Sequence, residues 1–276
     1  MTKFGVYLGN YGPYADPGFM VEVAVAASDA GWDGVFLYDH LDLGGIPTID
    51  PWTTTGAMAA RAPGLSLGVL LTVPARRRLH TLALQAATVQ HLLLQPLIVG
   101  LGLGSDRDFT LFDEDAALDR RAAQLELAID VLPRFWRGET LEGTYRATSG
   151  PNETGAVAEV TYGGARLGPM LTTQPELWIG ATYTSRAAQR RASRVDGVFP
   201  IRRPWTYERL LEPDELASFL NGIAPPVPIS ATTAMNEPST AADRASAFAG
   251  LGWWLELMDP AAREPEAVLT RVMAGP

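Results

Sequence analysis

Short apolar runs separated by longer amphipathic segments set the rhythm of the chain. Residues 4–9 (FGVYLG), 34–38 (GVFLY), 65–72 (LSLGVLLT), 97–103 (LIVGLGL), 176–180 (ELWIG), 197–200 (GVFP), 227–231 (VPISA) and 253–257 (WWLEL) are apolar at nearly consecutive positions. Continuous rather than alternating hydrophobicity predicts strands buried on both faces, as in a parallel sheet. Between them the period lengthens. Leu79, Leu82, Leu84, Ala86, Val89 and Leu92 within 76–94, and Leu125, Ile129, Leu132 and Trp136 within 118–136, recur at helical spacing. Asp-Pro pairs at 16–17, 50–51 and 259–260 read as an N-cap followed by proline in the first turn. Gly31, Pro63-Gly64 and Gly275 read as stops. Further helices are predicted over 185–195, 213–220 and 241–249. Strands and helices alternating in this way predict an α/β chain folded as a (β/α)8 TIM barrel, a single domain over 1–276. The stretch 138–174, rich in Gly, Thr and Pro, breaks the rhythm. It is expected to be an insertion after the fourth helix, lying over the barrel mouth.

Composition removes several classes of function. The 276 residues carry 22 basic and 31 acidic side chains, a net charge of −9, which suits neither nucleic acid nor an anionic membrane surface. With no cysteine, disulfides, thiolate metal sites and a cysteine nucleophile are excluded. No apolar run approaches the ~20 residues of a membrane span, and no cationic-then-apolar leader is visible, so a cytoplasmic protein is expected. His80 and His91 lie eleven positions apart on one helix, roughly 16 Å, too far to share a metal, and no metal site is expected. Lys3 is the single lysine among the basic residues, which with the abundant alanine reads as GC-rich coding bias.

Candidate chemistry follows from the fold, because barrels of this type gather it at the C-terminal ends of the strands. Those positions carry Asn10, Asp39 with His40, Thr72, Ser105 with Asp106 and Arg107, Thr182 to Ser185, Arg202 with Arg203, and Thr232 with Thr233; Glu256 lies inside the last strand. Residues after strands are often polar simply because loops are exposed, so the set informs more than any member. His40 beside Asp39 suits proton transfer near neutral pH, or a hydrogen-bonded histidine at the barrel top. Gly100, Gly102 and Gly104 form GLGLG, which is not the dinucleotide pattern GxGxxG, and the helix that should follow is delayed by SDRDFTLFDED. In a barrel such glycines let a planar ring approach the backbone. The segment Gly180-Ala181-Thr182-Tyr183-Thr184-Ser185 runs from strand to helix and reads either as a phosphate site or as a plain N-cap by Thr184 or Ser185. Arg76-Arg77-Arg78 opens a helix against its macrodipole, which points to a paired carboxylate or a ligand. Tyr11, Tyr14, Trp52, Phe109, Phe112 and Trp205 line an apolar pocket or pack.

Together these segments resemble the bacterial luciferase-like, flavin-dependent oxidoreductase family over nearly the whole chain. The resemblance rests on the order and spacing of FGVYLGNYGPYADP, AGWDGVFLYDHL, DPWTTTGAMAA, LGVLLTVPARRR, VGLGLG, DRRAAQLELAIDVLPRFWRGE, LWIGA, RRASRVDGVFP and GWWLEL. It implies a flavin lying across the strand ends. Its leading implication is a two-component monooxygenase using reduced FMN and O2 on a small organic substrate, with a separate flavin reductase. The alternative is a hydride-transfer oxidoreductase using the deazaflavin coenzyme F420. A contrasting alternative is a barrel without flavin that serves as a binding or partner subunit. A homodimer is implied as well. By the same resemblance, His40 falls on the family's active-site histidine, preceded by Asp39. Leu70-Leu71, followed by Thr72, matches a bulge that often carries a non-proline cis peptide. Gly102, Gly180, Ala181, Thr182, Thr184 and Ser185 match positions that hold the coenzyme, the last ones its phosphate. The chain departs from the family at several places, a small one being Gly180-Ala181 for the family's Gly-Gly after the fifth strand. Gln90 stands for an aspartate, Gln95-Pro96 for Gly-Arg, and Ser105 for the glutamate of sugar-phosphate deazaflavin dehydrogenases. The last departure argues against sugar-phosphate chemistry.

Overall fold

The apolar runs become strands, and their neighbours decide the architecture. The computed structural model describes residues 1–115, 117–151, 154–168, 171–182, 184–201, 212–221, 223, 230–234, 245, 251–258, 260–261 and 263–276. In chain order the strands are β1 (Lys3–Leu8), β2 (Gly34–Leu37), β3 (Ser66–Thr72), β4 (Ile98–Leu101), β5 (Leu141–Thr148), β6 (Val157–Ala165), β7 (Glu176–Thr182), β8 (Gly197–Ile201), β9 (Ser230–Ala234) and β10 (Trp253–Met258). Eight of them form one sheet in the order β8-β7-β4-β3-β2-β1-β10-β9. Every pairing in it is parallel. The sheet curls until its edge strands β8 and β9 lie side by side. Side chains alternate across it with period two. Tyr7, Phe36, Tyr38, Ile98, Trp178, Phe199, Trp253 and Leu255 fill the inside of the curl. Val6, Val35, Leu37, Val69, Val99, Leu177 and Ile179 face the helices.

The helices are α1 (Pro17–Asp29), α2 (Pro51–Arg61), α3 (Leu79–Leu92), α4 (Asp106–Thr110), α5 (Leu118–Trp136), α6 (Arg186–Ala192), α7 (Pro213–Leu220) and α8 (Pro265–Met273). Two predicted caps are present: Asp16 accepts from the Gly18 N–H at 2.8 Å and Asp50 from the Thr53 N–H at 2.7 Å, each followed by proline. The last helix departs from expectation. It starts at Pro265 behind Glu264, not at Pro260, which lies in a turn. Residues 227–229 and all of 241–249 except Ala245 lie outside the described residues, as does Asp259.

The stretch expected over the mouth holds an antiparallel hairpin of β5 and β6, paired outside the main sheet. Its described packing is against α5. The Tyr162 ring meets Phe135 edge-on at 5.1 Å and lies 6.4 Å from His80 of α3. A two-stranded ribbon does not stand alone in water, and its few buried side chains, among them Leu141, Ala158 and Tyr162, supply one apolar face. That face is satisfied by the outer helical layer, where the hairpin packs along α5. The unusual Gln90 keeps β4 anchored: its Nε2 donates to the Gln95 carbonyl at 3.1 Å and its Oε1 accepts from the Leu97 N–H at 2.7 Å.

Candidate functional site at the strand ends

Period two decides which candidates face inward. On β2 and beyond it, Phe36, Tyr38 and His40 share the inner side. The His40 ring lies 5.8 Å from Tyr38 and 6.2 Å from Tyr11. Tyr38 in turn packs 4.4 Å from Tyr7, whose hydroxyl donates to the Leu70 carbonyl at 2.6 Å. The Leu70–Leu71 peptide is cis, and the β3–β4 register shifts between Val69 and Thr72. Both leucines pack with the inner cluster. Leu71, half-buried, lies across the inner face of two neighbouring strands: a Cβ at Gly102 would come within 2.9 Å of it and a Cβ at Gly180 within 2.1 Å. Only hydrogen fits at those two positions. His40, Leu70, Leu71, Gly102 and Gly180 are thus brought to one rim.

His40 is held from two directions. The Asn10 side chain clips its main chain, donating to the His40 carbonyl at 2.9 Å and accepting from its N–H at 3.1 Å. Behind the ring stands a carboxylate from α4. The His40 Nδ1 is buried and faces the Asp108 Oδ2 at 3.5 Å. At that length the contact is electrostatic more than an aligned hydrogen bond. The His40 side chain is 31% exposed and that of Asp108 2%. Arg76 completes the group, with Nη1 at 3.2 Å from the Asp108 carboxylate and Nη2 donating to the Asp39 carbonyl at 2.8 Å. Burial pushes the Asp108 carboxyl up, but the His40 Nδ1, the positive Arg76 and the Asp42 N–H outweigh it and hold the carboxyl below its ordinary value. Asp42, on the neighbouring loop, is also lowered, first by the Gly44 and Gly45 N–H groups and then by Arg107.

Other candidates turn elsewhere. Asp39 points outward, where Arg77 Nη2 binds both its oxygens at 2.8 and 2.9 Å, so it anchors a loop and does not reach the rim. Thr72 is buried against α2 and accepts from the Trp52 indole N–H at 3.1 Å. Ala181 belongs to the outer core. The Ser185 hydroxyl caps α6 by accepting from the Ala188 N–H at 3.3 Å, while Thr182 is half-buried and Thr184 exposed. Glu256 faces α8 and pairs with Arg271. Tyr183, Arg202, Arg203 and Trp205 lie outside the described residues, as do the side chains of Thr232 and Thr233.

One functional-site residue, Asp108, escaped sequence reasoning. Arg76 and Arg77 were flagged by their conflict with the helix dipole. The structure resolves it: both precede α3 and meet Asp39 and Asp108. Asp108 had no such signal, being one of several acids in an aperiodic stretch. Nearby, Arg121 donates to the Leu103 and Gly104 carbonyls at 3.1 and 3.2 Å, pinning the loop after β4, where Gly104 adopts a φ of 76°.

Known proteins share this fold. The profile of the luciferase-like monooxygenase family matches residues 2–270. An F420-dependent glucose-6-phosphate dehydrogenase of Microbacterium testaceum is 32% identical over 138 residues, 47% of this chain and 40% of that protein. The chain therefore spans less than half the length of the curated relatives it matches. Among solved structures, an F420-dependent secondary alcohol dehydrogenase in complex with an F420-acetone adduct superposes with a TM-score of 0.73 at 14% identity, covering 99% of this chain and 98% of that one. A monooxygenase from Streptomyces bottropensis superposes with a TM-score of 0.66 at 18% identity, covering 99% and 80%. Among the described residues no helix is long and apolar enough to cross a membrane.

Proposed function

Because the chain belongs to the luciferase-like monooxygenase family, we propose that it is a two-electron oxidoreductase that seats a deazaflavin coenzyme on the strand-end rim and acts on a small alcohol or carbonyl compound. The closed (β/α)8 barrel is part of this reading. The observation that carries it is the pairing, on one rim, of a half-buried apolar seat with the His40 imidazole. Leu71 lies over Gly102 and Gly180, where no side chain intervenes, and this flat apolar surface fits the ring end of such a coenzyme. Thr182 and Thr184 would hold the phosphate end; Ser185 contributes less, since its hydroxyl is engaged in the cap.

Bound there, the coenzyme supplies hydride chemistry. Hydride transfer from an alcohol carbon, or to a carbonyl carbon, leaves one proton to be moved on the oxygen, and that task falls to the chain. His40 is the titratable side chain of the inner rim for which Tyr11, Tyr38 and Asp108 provide a fixed setting. Tyr7, Tyr38 and Leu70 close the floor below against water. Ser105 in place of a glutamate speaks against sugar phosphates as substrate. Two sequence relatives named for F420 favour the deazaflavin.

A second reading, an FMN monooxygenase with a separate reductase, is favoured by the likeness to the Streptomyces enzyme. Absorbance and fluorescence titrations with F420 and with FMN separate the two. Saturable F420 binding at micromolar concentration is expected, with His40→Ala retaining binding and losing turnover of small alcohols about 100-fold. Tight FMN binding without F420 binding replaces the first reading by the second. Binding of neither by the folded protein sinks both.

A further inference from the structure

We propose that Asp108 is a positioning residue that keeps the proton of neutral His40 on Nδ1, leaving Nε2 as the nitrogen that exchanges a proton at the rim. The inference deepens the role given to His40 above and rests on that reading for its function, although the tautomer itself does not.

Three observations lead to it. First, Nδ1 is shut away from water while the ring as a whole is about one-third exposed, so its accessible part lies on the other side. Second, among the described residues the group facing Nδ1 is the Asp108 carboxylate, an acceptor only, which can satisfy a buried ring nitrogen when that nitrogen carries hydrogen. Third, the charges balance without help from the imidazole. Asp39 and Asp108 are matched by Arg76 and Arg77, all four with buried or largely buried side chains. A neutral ring therefore leaves the cluster uncharged, and the carboxylate orients the imidazole without needing an imidazolium. The other groups against His40 are Asn10, which binds its main chain, and the Tyr11 and Tyr38 rings, which meet it at tilted or edge-on angles. None of these supplies a competing acceptor to Nδ1. Arg76 keeps Asp108 ionised and in place. The carboxylate thus comes from α4, three residues beyond Ser105, where sugar-phosphate deazaflavin dehydrogenases carry their glutamate.

The chain holds only three histidines, so the imidazole nitrogens can be assigned directly. Long-range 1H–15N spectra of the 15N-labelled protein would be recorded about two units above the ordinary histidine value of ~6.5. His40→Gln and His80→Gln identify the signals. The expected result is a protonated Nδ1 for His40 and the Nε2–H form, which an unheld imidazole prefers, at an exposed histidine. Asp108→Ala should move His40 to the Nε2–H form. Asp108→Asn, whose amide oxygen still accepts, should keep part of the Nδ1–H population. A protonated Nε2 in the unmodified protein overturns the proposal, and so does an Asp108→Ala spectrum with the tautomer unchanged. Should Asp108→Ala not fold, the unmodified protein and Asp108→Asn decide. None of these spectra needs a coenzyme. A failed coenzyme titration beside a protonated Nδ1 sinks the functional reading and leaves the positioning role standing.

Discussion

Removing either partner of the Glu256–Arg271 pair should cost unequal amounts of stability. Glu256 sits on β10 with its side chain 1% exposed, and Arg271 on α8 is 18% exposed. The pair is bidentate, Nε to Oε1 at 3.0 Å and Nη2 to Oε2 at 2.8 Å. Arg271→Met strands a carboxylate that water does not reach. Breaking a buried pair in this sense costs about 3–5 kcal/mol. Glu256→Gln leaves Arg271 its bond to the Gly275 carbonyl, its contact with Trp32 and a path to solvent, and should cost about 1–2 kcal/mol. For a chain of this size each kcal/mol moves Tm by ~2–4 °C, so losses of about 6–20 °C and about 2–8 °C are expected. Urea unfolding of the two single variants and the double variant at pH 7 closes a cycle. The double variant should be more stable than the sum of the singles by at least ~1 kcal/mol. Equal single costs, or additivity within ~0.5 kcal/mol, would refute the claim that an interior carboxylate depends on this arginine.

Other consequences are open to the same measurements. The Asp108 carboxyl is held below its ordinary 3.8, so it adds stability above that value and loses it as pH falls through the lower, folded-state value. The stability gap between the unmodified protein and Asp108→Asn should therefore close below pH 3.8, and a gap that persists in stronger acid contradicts this. Gly180→Ala places a methyl 2.1 Å from Leu71 and should cost about 1–3 kcal/mol; Leu71→Ala in the same chain should recover most of it, whereas simple additivity argues for a different contact. Burial raises the Tyr162 phenol above 10.0, and its hydroxyl has no hydrogen-bond partner among the described residues. Tyr162→Phe should change stability by less than ~1 kcal/mol and remove one component above pH 10 from an alkaline absorbance titration.

The strands were legible because parallel strands are apolar on both faces, and the helices with Asp-Pro starts because capping is a local interaction. Helix α5 spans 118–136 as read from Leu125, Ile129, Leu132 and Trp136. What local pattern cannot supply is the partner of a polar residue distant in sequence. Asp39 and His40 are adjacent letters, yet period two sends one to the arginines outside and the other to the rim. Thr72 and Ala181 face the outer layer for the same reason: each stands one position out of phase with its inward neighbour. The hairpin went unseen since its strands are mostly exposed and carry no continuous apolar run. Asp108 became recognisable only after α4 brought it behind His40.

The amide clasp at Gln90 also has a consequence for acid. A carboxylate performing this work could accept from the Leu97 N–H, but it would be open to protonation and would have no hydrogen to offer the Gln95 carbonyl. The glutamine does both and has nothing to titrate. The joint between α3 and β4 is thereby insulated from acidity, so low pH should loosen the ion-paired loop around Asp108 while this hinge between helix and strand still holds.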